Sequence, residues 1–211
     1  MWKNLLEIIK IGQKLDQKTL GKFILLKMII SIHQPNFIPW YPFFDKIKQS
    51  DLFVILKHCQ FEKNNYQNRF SYRDKWHTMS VNKGLESIIS KKYLDVDSDW
   101  NRIKTNLKDK KYILSNFDDC ITENLADTNT KIIIKICNLL KINTKIVYDY
   151  PTDLKSNERL IDICKHYGAK TYLAGSGGKN YMDVERFKSE KIDVVFQDLN
   201  KIDKKHILEI L

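Results

Sequence analysis

The sequence predicts an α/β domain: a mainly parallel sheet flanked by helices, with a hairpin and a helical segment inserted. Three observations carry this. Short apolar runs of strand length alternate with amphipathic segments of helical period. The run 52–56, Leu-Phe-Val-Ile-Leu, is apolar throughout, as a strand covered on both faces must be. The alternation also proceeds without repeats or a low-complexity linker, so the strands are joined by crossovers within one unit.

The pattern begins at Met28. Residues 29–33 form a short apolar strand stopped by Pro35, and Pro39 leads into an amphipathic helix over about 40–49. The buried run 52–56 follows. Residues 68–81 read as a hairpin with Arg73, Asp74 and Lys75 at its tip and Trp76 on the returning strand. The middle is helical, over 99–110, a segment near 117–125, and 130–140. A strand at 144–148 precedes a helix over 156–167, with Ser156 as its cap and Gly168 as its end. A strand at 171–174, a glycine loop at 175–178, a helix over 183–190 and a strand at 193–196 complete the set.

Residues 1–27 stand apart. They carry Leu5, Leu6, Ile8, Ile9, Leu15, Phe23, Ile24 and Leu25 with lysines between. This is either a basic amphipathic helix making a peripheral membrane contact or an extension upstream of the fold. Gly12 and Gly21 weaken a continuous helix, which favours an extension (1–27) followed by an α/β domain (28–211).

The 211 residues suit one domain with a proper core. A content of 43% hydrophobic and 29% charged residues excludes a disordered chain. The net charge of +10 fits a phosphate-bearing partner. The lysines are scattered, however, and no element gathers them into a stripe, which argues against nucleic acid. The four cysteines (Cys59, Cys120, Cys137, Cys164) form no close pair, which excludes a zinc ribbon and a dithiol redox motif. With no signal peptide or spanning stretch, a cytoplasmic protein without disulfides is expected. His58, His77, His166 and His206 lack ligand-like spacing, so no metal site is expected.

Three segments are suited to chemistry, and each follows a predicted strand, where ligands bind in open α/β sheets. The first, His33-Gln34-Pro35-Asn36-Phe37-Ile38-Pro39-Trp40, sets an imidazole and two amides on a backbone stiffened by two prolines. The second runs from Gln60 to Arg69. It combines Glu62, Lys63 and Arg69 with Asn64, Asn65, Tyr66 and Asn68. The third, Gly175-Ser176-Gly177-Gly178-Lys179, is a loop whose backbone N–H groups suit an anion, although it is neither a Walker A loop nor a dinucleotide fingerprint. Taken alone, each also fits a plain structural reading: a proline-stiffened turn, a polar surface loop, a glycine turn. Glu158 and Arg159 read as a favourable charge at a helix start with an exposed neighbour, and His166 as a partner of the last helical carbonyls.

The stretch Ile32 to Trp40, with Phe44-Asp-Lys46, the run Gln60 to Arg69, Glu158-Arg159-Leu160, Tyr172 to Lys179 and Phe196-Gln197, resembles the WbqC-like family, from Met28 to about Gln197. Related sequences continue through a further stretch, whereas this chain stops at Leu211. Members occur among genes for bacterial O-antigen and other surface polysaccharides, so the resemblance implies a role in that biosynthesis. A fainter, fold-level likeness to pantothenate synthetase and its nucleotidyltransferase relatives suggests a Rossmann-like sheet and acyl activation. Only one histidine of their H-x-G-H turn is present here, and its glycine is replaced.

Together these imply transfer of an acyl or aminoacyl group to a nucleotide-linked amino sugar with amide formation, with ATP or another activated acyl donor as co-substrate. His33 is then the phosphate ligand or acid–base group, Glu62 the general base, and Lys63 and Arg69 the charge stabilisers. Gln34, Asn36, Trp40, Gln60, Asn64, Asn65, Tyr66 and Asn68 bind substrate, and Gly175 to Lys179 holds the diphosphate. The rival reading is a non-catalytic sugar-nucleotide-binding or scaffold protein of an assembly complex.

Overall fold

A computed structural model describes residues 28–211. The two readings of residues 1–27 lie outside the described residues. Strands β1 (Ile29–His33), β2 (Leu52–Ile55), β5 (Lys145–Tyr148), β6 (Thr171–Ala174) and β7 (Asp193–Phe196) form one parallel sheet in the order β5-β2-β1-β6-β7. The hairpin β3 (Arg69–Tyr72) and β4 (Lys75–Thr78) is a separate antiparallel pair. The helices are α1 (Tyr41–Lys48), α2 (Val96–Asn106), α3 (Lys111–Ser115), α4 (Leu125–Leu139), α5 (Ser156–His166), α6 (Val184–Ser189) and α7 (Ile207–Ile210). The α/β class and the inserted hairpin and helical segment, which lie between β2 and β5, are as the sequence predicts.

Side-chain alternation divides the interior in two. Leu52 and Val54 of β2 join Ile30 and Ile32 of β1 against Ile161 and Cys164 of α5 and Phe187 of α6. Phe53 and Ile55 point the other way, into a larger core with Phe44 and Ile47 of α1 and Ile132, Ile133 and Ile136 of α4. All four residues of β2 are buried, each large apolar one contributing about 1.5–3 kcal/mol. Ser31 is the polar exception in β1. Its hydroxyl shares a 2.7 Å hydrogen bond with that of Ser50, just after α1, and the Ser50 hydroxyl donates in turn to the Lys46 carbonyl at 2.8 Å.

Several boundaries differ from expectation, for identifiable reasons. Of the segment 117–125 only one 3₁₀ turn, Asp118–Cys120, and the last residue, Leu125, are helical, because the chain between them bridges back to residues 92–93. Helix α4 consequently starts at Leu125, where the Asn124 side chain accepts from the Asp127 N–H at 2.9 Å. Ser156 is the first residue of α5 and not its cap. Its φ of 49° is left-handed, whereas an N-cap needs extended backbone. Gly168 does end that helix, with φ 69° and bonds from Gly168 and Ala169 back to Lys165 and Cys164. The hairpin turns on Arg73 and Asp74, both left-handed (φ 52° and 59°), the handedness a two-residue turn requires.

Among the described residues no helix is long and apolar enough to cross a membrane. All four cysteines are free, and all but Cys59 are buried.

Candidate functional site

The crevice of this sheet arises from its register. Strand β1 pairs with β2 as far as His33↔Ile55, but with β6 only at Ile29↔Thr171 and Ile30↔Tyr172. Beyond Ile30 the two strands diverge. This is also the switch point, since the sheet continues to β2 and β5 on one side and to β7 on the other. A cavity of about 670 Å³ occupies the gap, walled by His33, Gln34, Asn36, Glu62, Arg159 and Tyr181 among others. Two smaller cavities adjoin it and share Asn36 and Trp40 with it. One of about 180 Å³ lies toward the glycine loop and one of about 290 Å³ toward the hairpin.

The segment from His33 to Trp40 is held by residues distant in sequence. Asn129 of α4 donates to the carbonyls of Pro35 (2.8 Å) and Gln67 (2.7 Å) and accepts from the Tyr93 hydroxyl at 2.9 Å. The Gln67 side chain donates to Gln34 Oε1 at 2.6 Å and accepts from the Glu62 N–H at 2.8 Å. Phe37 and Ile38 are fully buried, and Ile38 has φ 45°, an uncommon state for a β-branched residue that persists only where packing enforces it.

His33 lines both the 670 Å³ and the 180 Å³ cavities. Its Nδ1 donates to the Gln34 carbonyl at 2.9 Å, leaving Nε2 as the nitrogen without a proton. Burial, and secondarily the charge of Lys46, push its pKa down to about 3. The ring is therefore a neutral proton acceptor at pH 7, not the phosphate-binding cation that the sequence allows.

Of the second segment, Glu62, Asn65 and Tyr66 line the large cavity. Glu62 is exposed at the rim and accepts from Gln34 Nε2 at 3.0 Å and from Asn65 Nδ2. Gln60, Lys63 and Asn64 are exposed and line none of the three cavities. Asn68 is buried and donates to the Met79 carbonyl at 2.7 Å, a bond that closes the hairpin base. Arg69 stacks 4.0 Å from the Trp76 ring centre and donates to the Asn64 carbonyl, away from the cavities.

In the glycine loop, Gly175, Ser176 and Gly177 line the 180 Å³ cavity with His33, Lys46 and Gln197. Gly178 faces inward, where a Cβ would meet Met182 Sδ at 2.9 Å and Phe196 at 3.2 Å; a side chain does not fit there. Lys179 is exposed, with Nζ 5.8 Å from the Phe196 ring centre, and does not line the cavity.

Two further groups escape a reading of the sequence. Arg159, expected as the exposed neighbour of a favourable charge at a helix start, is 7% exposed instead, lines the large cavity and pairs with the buried Asp149. Asp149 also accepts from the Lys57 N–H (2.7 Å) and from His58 Nδ1 (3.0 Å), binding the exits of β2 and β5 together. Its neighbour Glu158 pairs with Arg186 instead. The other is Lys46, 3% exposed on the inner face of α1, whose pKa burial lowers to about 7. One sequence signal marks it: a lysine four residues after Pro42 and three after Phe43 falls on the apolar stripe of the helix. His166 packs against the rings of Tyr150 and Tyr167 rather than reaching helix carbonyls. Among the described residues no group of three or more His, Cys, Asp and Glu is placed to hold a metal.

Comparison with known proteins gives two findings. The family model described as the WbqC-like protein family matches residues 34–204. The Uncharacterized protein Rv1507c of Mycobacterium tuberculosis (strain ATCC 25618 / H37Rv) is 26% identical over 188 residues, covering 80% of this chain and 81% of that protein. No solved structure matches.

Proposed function

The chain belongs to the WbqC-like protein family, and on that footing we propose that it is an enzyme of bacterial surface-polysaccharide synthesis that acylates or aminoacylates a nucleotide-linked amino sugar. The observation that carries this reading is the position of His33, a neutral acceptor on the wall shared by a large polar crevice and a small pocket beside a glycine loop. The larger space, about 670 Å³, lies within the usual range for a small-molecule site. Exposed Trp40, Tyr66 and Tyr181 offer amphipathic faces to a sugar, while Glu62 and Asn65 offer hydrogen bonds at the rim.

In this scheme the sugar amine attacks the carbonyl carbon of an activated acyl donor, such as an ATP-derived adenylate, a thioester or an aminoacyl ester. A C–N bond forms, and the bond from that carbon to the donor oxygen or sulfur breaks, its electron pair leaving with the donor. The amine proton passes to His33 Nε2. Burial makes His33 a weak base when the site is empty, and whatever charge Lys46 carries there is a smaller cause in the same direction.

The test is a thermal-shift panel of UDP- and dTDP-amino sugars, ATP, coenzyme A and aminoacyl-tRNA, followed by mass detection of an acylated sugar nucleotide. A ligand at about 100 times its Kd adds roughly 2.7 kcal/mol, which for a chain of this size is roughly 5–10 °C. His33→Gln is expected to abolish product while leaving the ligand shift intact. Sugar-nucleotide binding with no product from any donor assigns the protein a binding or scaffold role instead.

A further inference from the structure

Lys46 is the feature that the fold itself does not account for. Its residue is 3% exposed, yet among the described residues its Nζ has neither a hydrogen bond nor an ion pair. The neighbouring carboxylate, Asp45, is taken by Gln49 and by Gln197, which also donates to the Pro42 carbonyl at 2.8 Å. A buried ammonium with no partner is destabilising, and folds satisfy such groups internally unless something else does so. Lys46 faces a cavity of about 180 Å³ whose other titrating wall residue is His33, uncharged at neutral pH. Among the described residues no carboxylate lines that cavity, and its remaining walls include Gly175, Ser176 and Gly177. The N–H groups of these three residues donate to no backbone acceptor outside their own turn.

The volume limits the occupant. It lies below the roughly 300–1,000 Å³ of a whole small-molecule site, and the pocket joins the larger crevice at His33, Asn36 and Trp40. We propose that this pocket is a binding site for one tetrahedral oxyanion, the phosphoryl end of the substrate, with Lys46 as its counter-ion and with a proton taken up on binding. The proposal rests on the substrate reading above for the identity of the anion, but not for the existence of the site. The proton follows from burial. With its pKa near 7, Lys46 is substantially neutral in the empty pocket and becomes fully charged beside a dianion. The two negative charges of the bound anion outweigh the one positive charge that Lys46 gains, making the imidazole of His33 a better base only when substrate is present.

Sulfate is the probe, because it stays a dianion from pH 6 to 9 and so takes no proton itself. Calorimetric titration of the full chain at pH 8, in two buffers of different ionisation enthalpy, is expected to show uptake approaching one proton per sulfate bound. Lys46→Met is expected to weaken sulfate binding about thirtyfold or more with an unchanged or higher Tm, since it removes a buried charge. Lys46→Gln serves as the second variant if methionine packs poorly. Sulfate also stabilises proteins by exclusion from their surfaces, so only the component lost in these variants counts.

Failure of wild type to bind sulfate, equal binding by the Lys46 variants, or a fall of several degrees in the Tm of both ligand-free variants overturns the proposal. If sugar nucleotides stabilise wild type and Lys46→Met equally, the anion site fails and the crevice reading stands. If sulfate binds with proton uptake but no sugar nucleotide binds, the site stands and the substrate reading fails.

Discussion

Two buried cations line adjoining cavities, Arg159 the larger and Lys46 the smaller, and they are treated differently. Arg159 meets Asp149, which also accepts from His58 and two backbone N–H groups, so the guanidinium and the carboxylate there are paired, with only the Arg159 Nε lacking a partner among the described residues. Lys46 has none among the described residues. The first arrangement welds the exits of β2 and β5 and offsets its desolvation within the protein. The second leaves the ammonium without a protein partner among the described residues, facing a small cavity in which only solvent or an entering anion can balance it. Burial of charge alone therefore does not identify a working group; the state of its partner does.

The comparison is broken most forcefully at the paired corner. Asp149→Ala strands Arg159 and the amides of Lys57 and His58, and is expected to lower stability by about 3–5 kcal/mol in urea denaturation. Adding Arg159→Met should recover much of that loss; no recovery would mean that the backbone bonds alone secure the corner. Asn129→Leu leaves the carbonyls of Pro35 and Gln67 and the Tyr93 hydroxyl without their partner. A loss of about 1–3 kcal/mol is expected, read by the same denaturation, together with a higher KM as the His33–Trp40 segment loosens.

The unpaired end responds to pH. The folded pKa of Lys46, about 7, lies below its unfolded value. Between about pH 7 and 10 the unfolded chain therefore binds more protons, and stability rises with pH by up to about 1.4 kcal/mol per unit. Measuring urea midpoints at pH 7, 8 and 9 in wild type and Lys46→Met isolates this slope, which should vanish in the variant. The smallest effect is expected at Lys63, which is exposed and away from the cavities. Lys63→Ala should change stability by no more than about 0.5 kcal/mol and leave turnover within twofold, roughly a 0.4 kcal/mol change in barrier. A large loss of turnover would return Lys63 to the reacting centre.

The strands were the most legible part of the sequence. Residues 171–174 and 193–196 are strands as read, because short apolar runs bounded by Gly or Asp leave few alternatives. The helix starts were less so. Residues 121–124 look helical locally, but Glu123 and Asn124 bond to residues 89–93, a contact no local period reports. The same limit applies to the site. His33, Glu62 and the glycine loop follow strand ends and were readable from strand order. Gln67, Asn129 and Asp149 act through partners far away in the chain: Asn129 reaches Pro35 across 94 positions. Lys46 was readable in principle, since it stands on a stripe of apolar residues, but its lack of a partner is a property of the folded chain alone.

Trp40, 42% exposed, borders all three cavities, whereas Trp76 is stacked under Arg69 on the hairpin and Trp100 is buried, donating to Asp118 at 2.6 Å. The crevice thus carries its own optical reporter. Any molecule entering one of its compartments changes the solvent contact of that indole, while the buried Trp100 supplies a steady background. Emission followed in a rapid-mixing experiment would show whether donor and acceptor arrive in a fixed order, without a label attached to either.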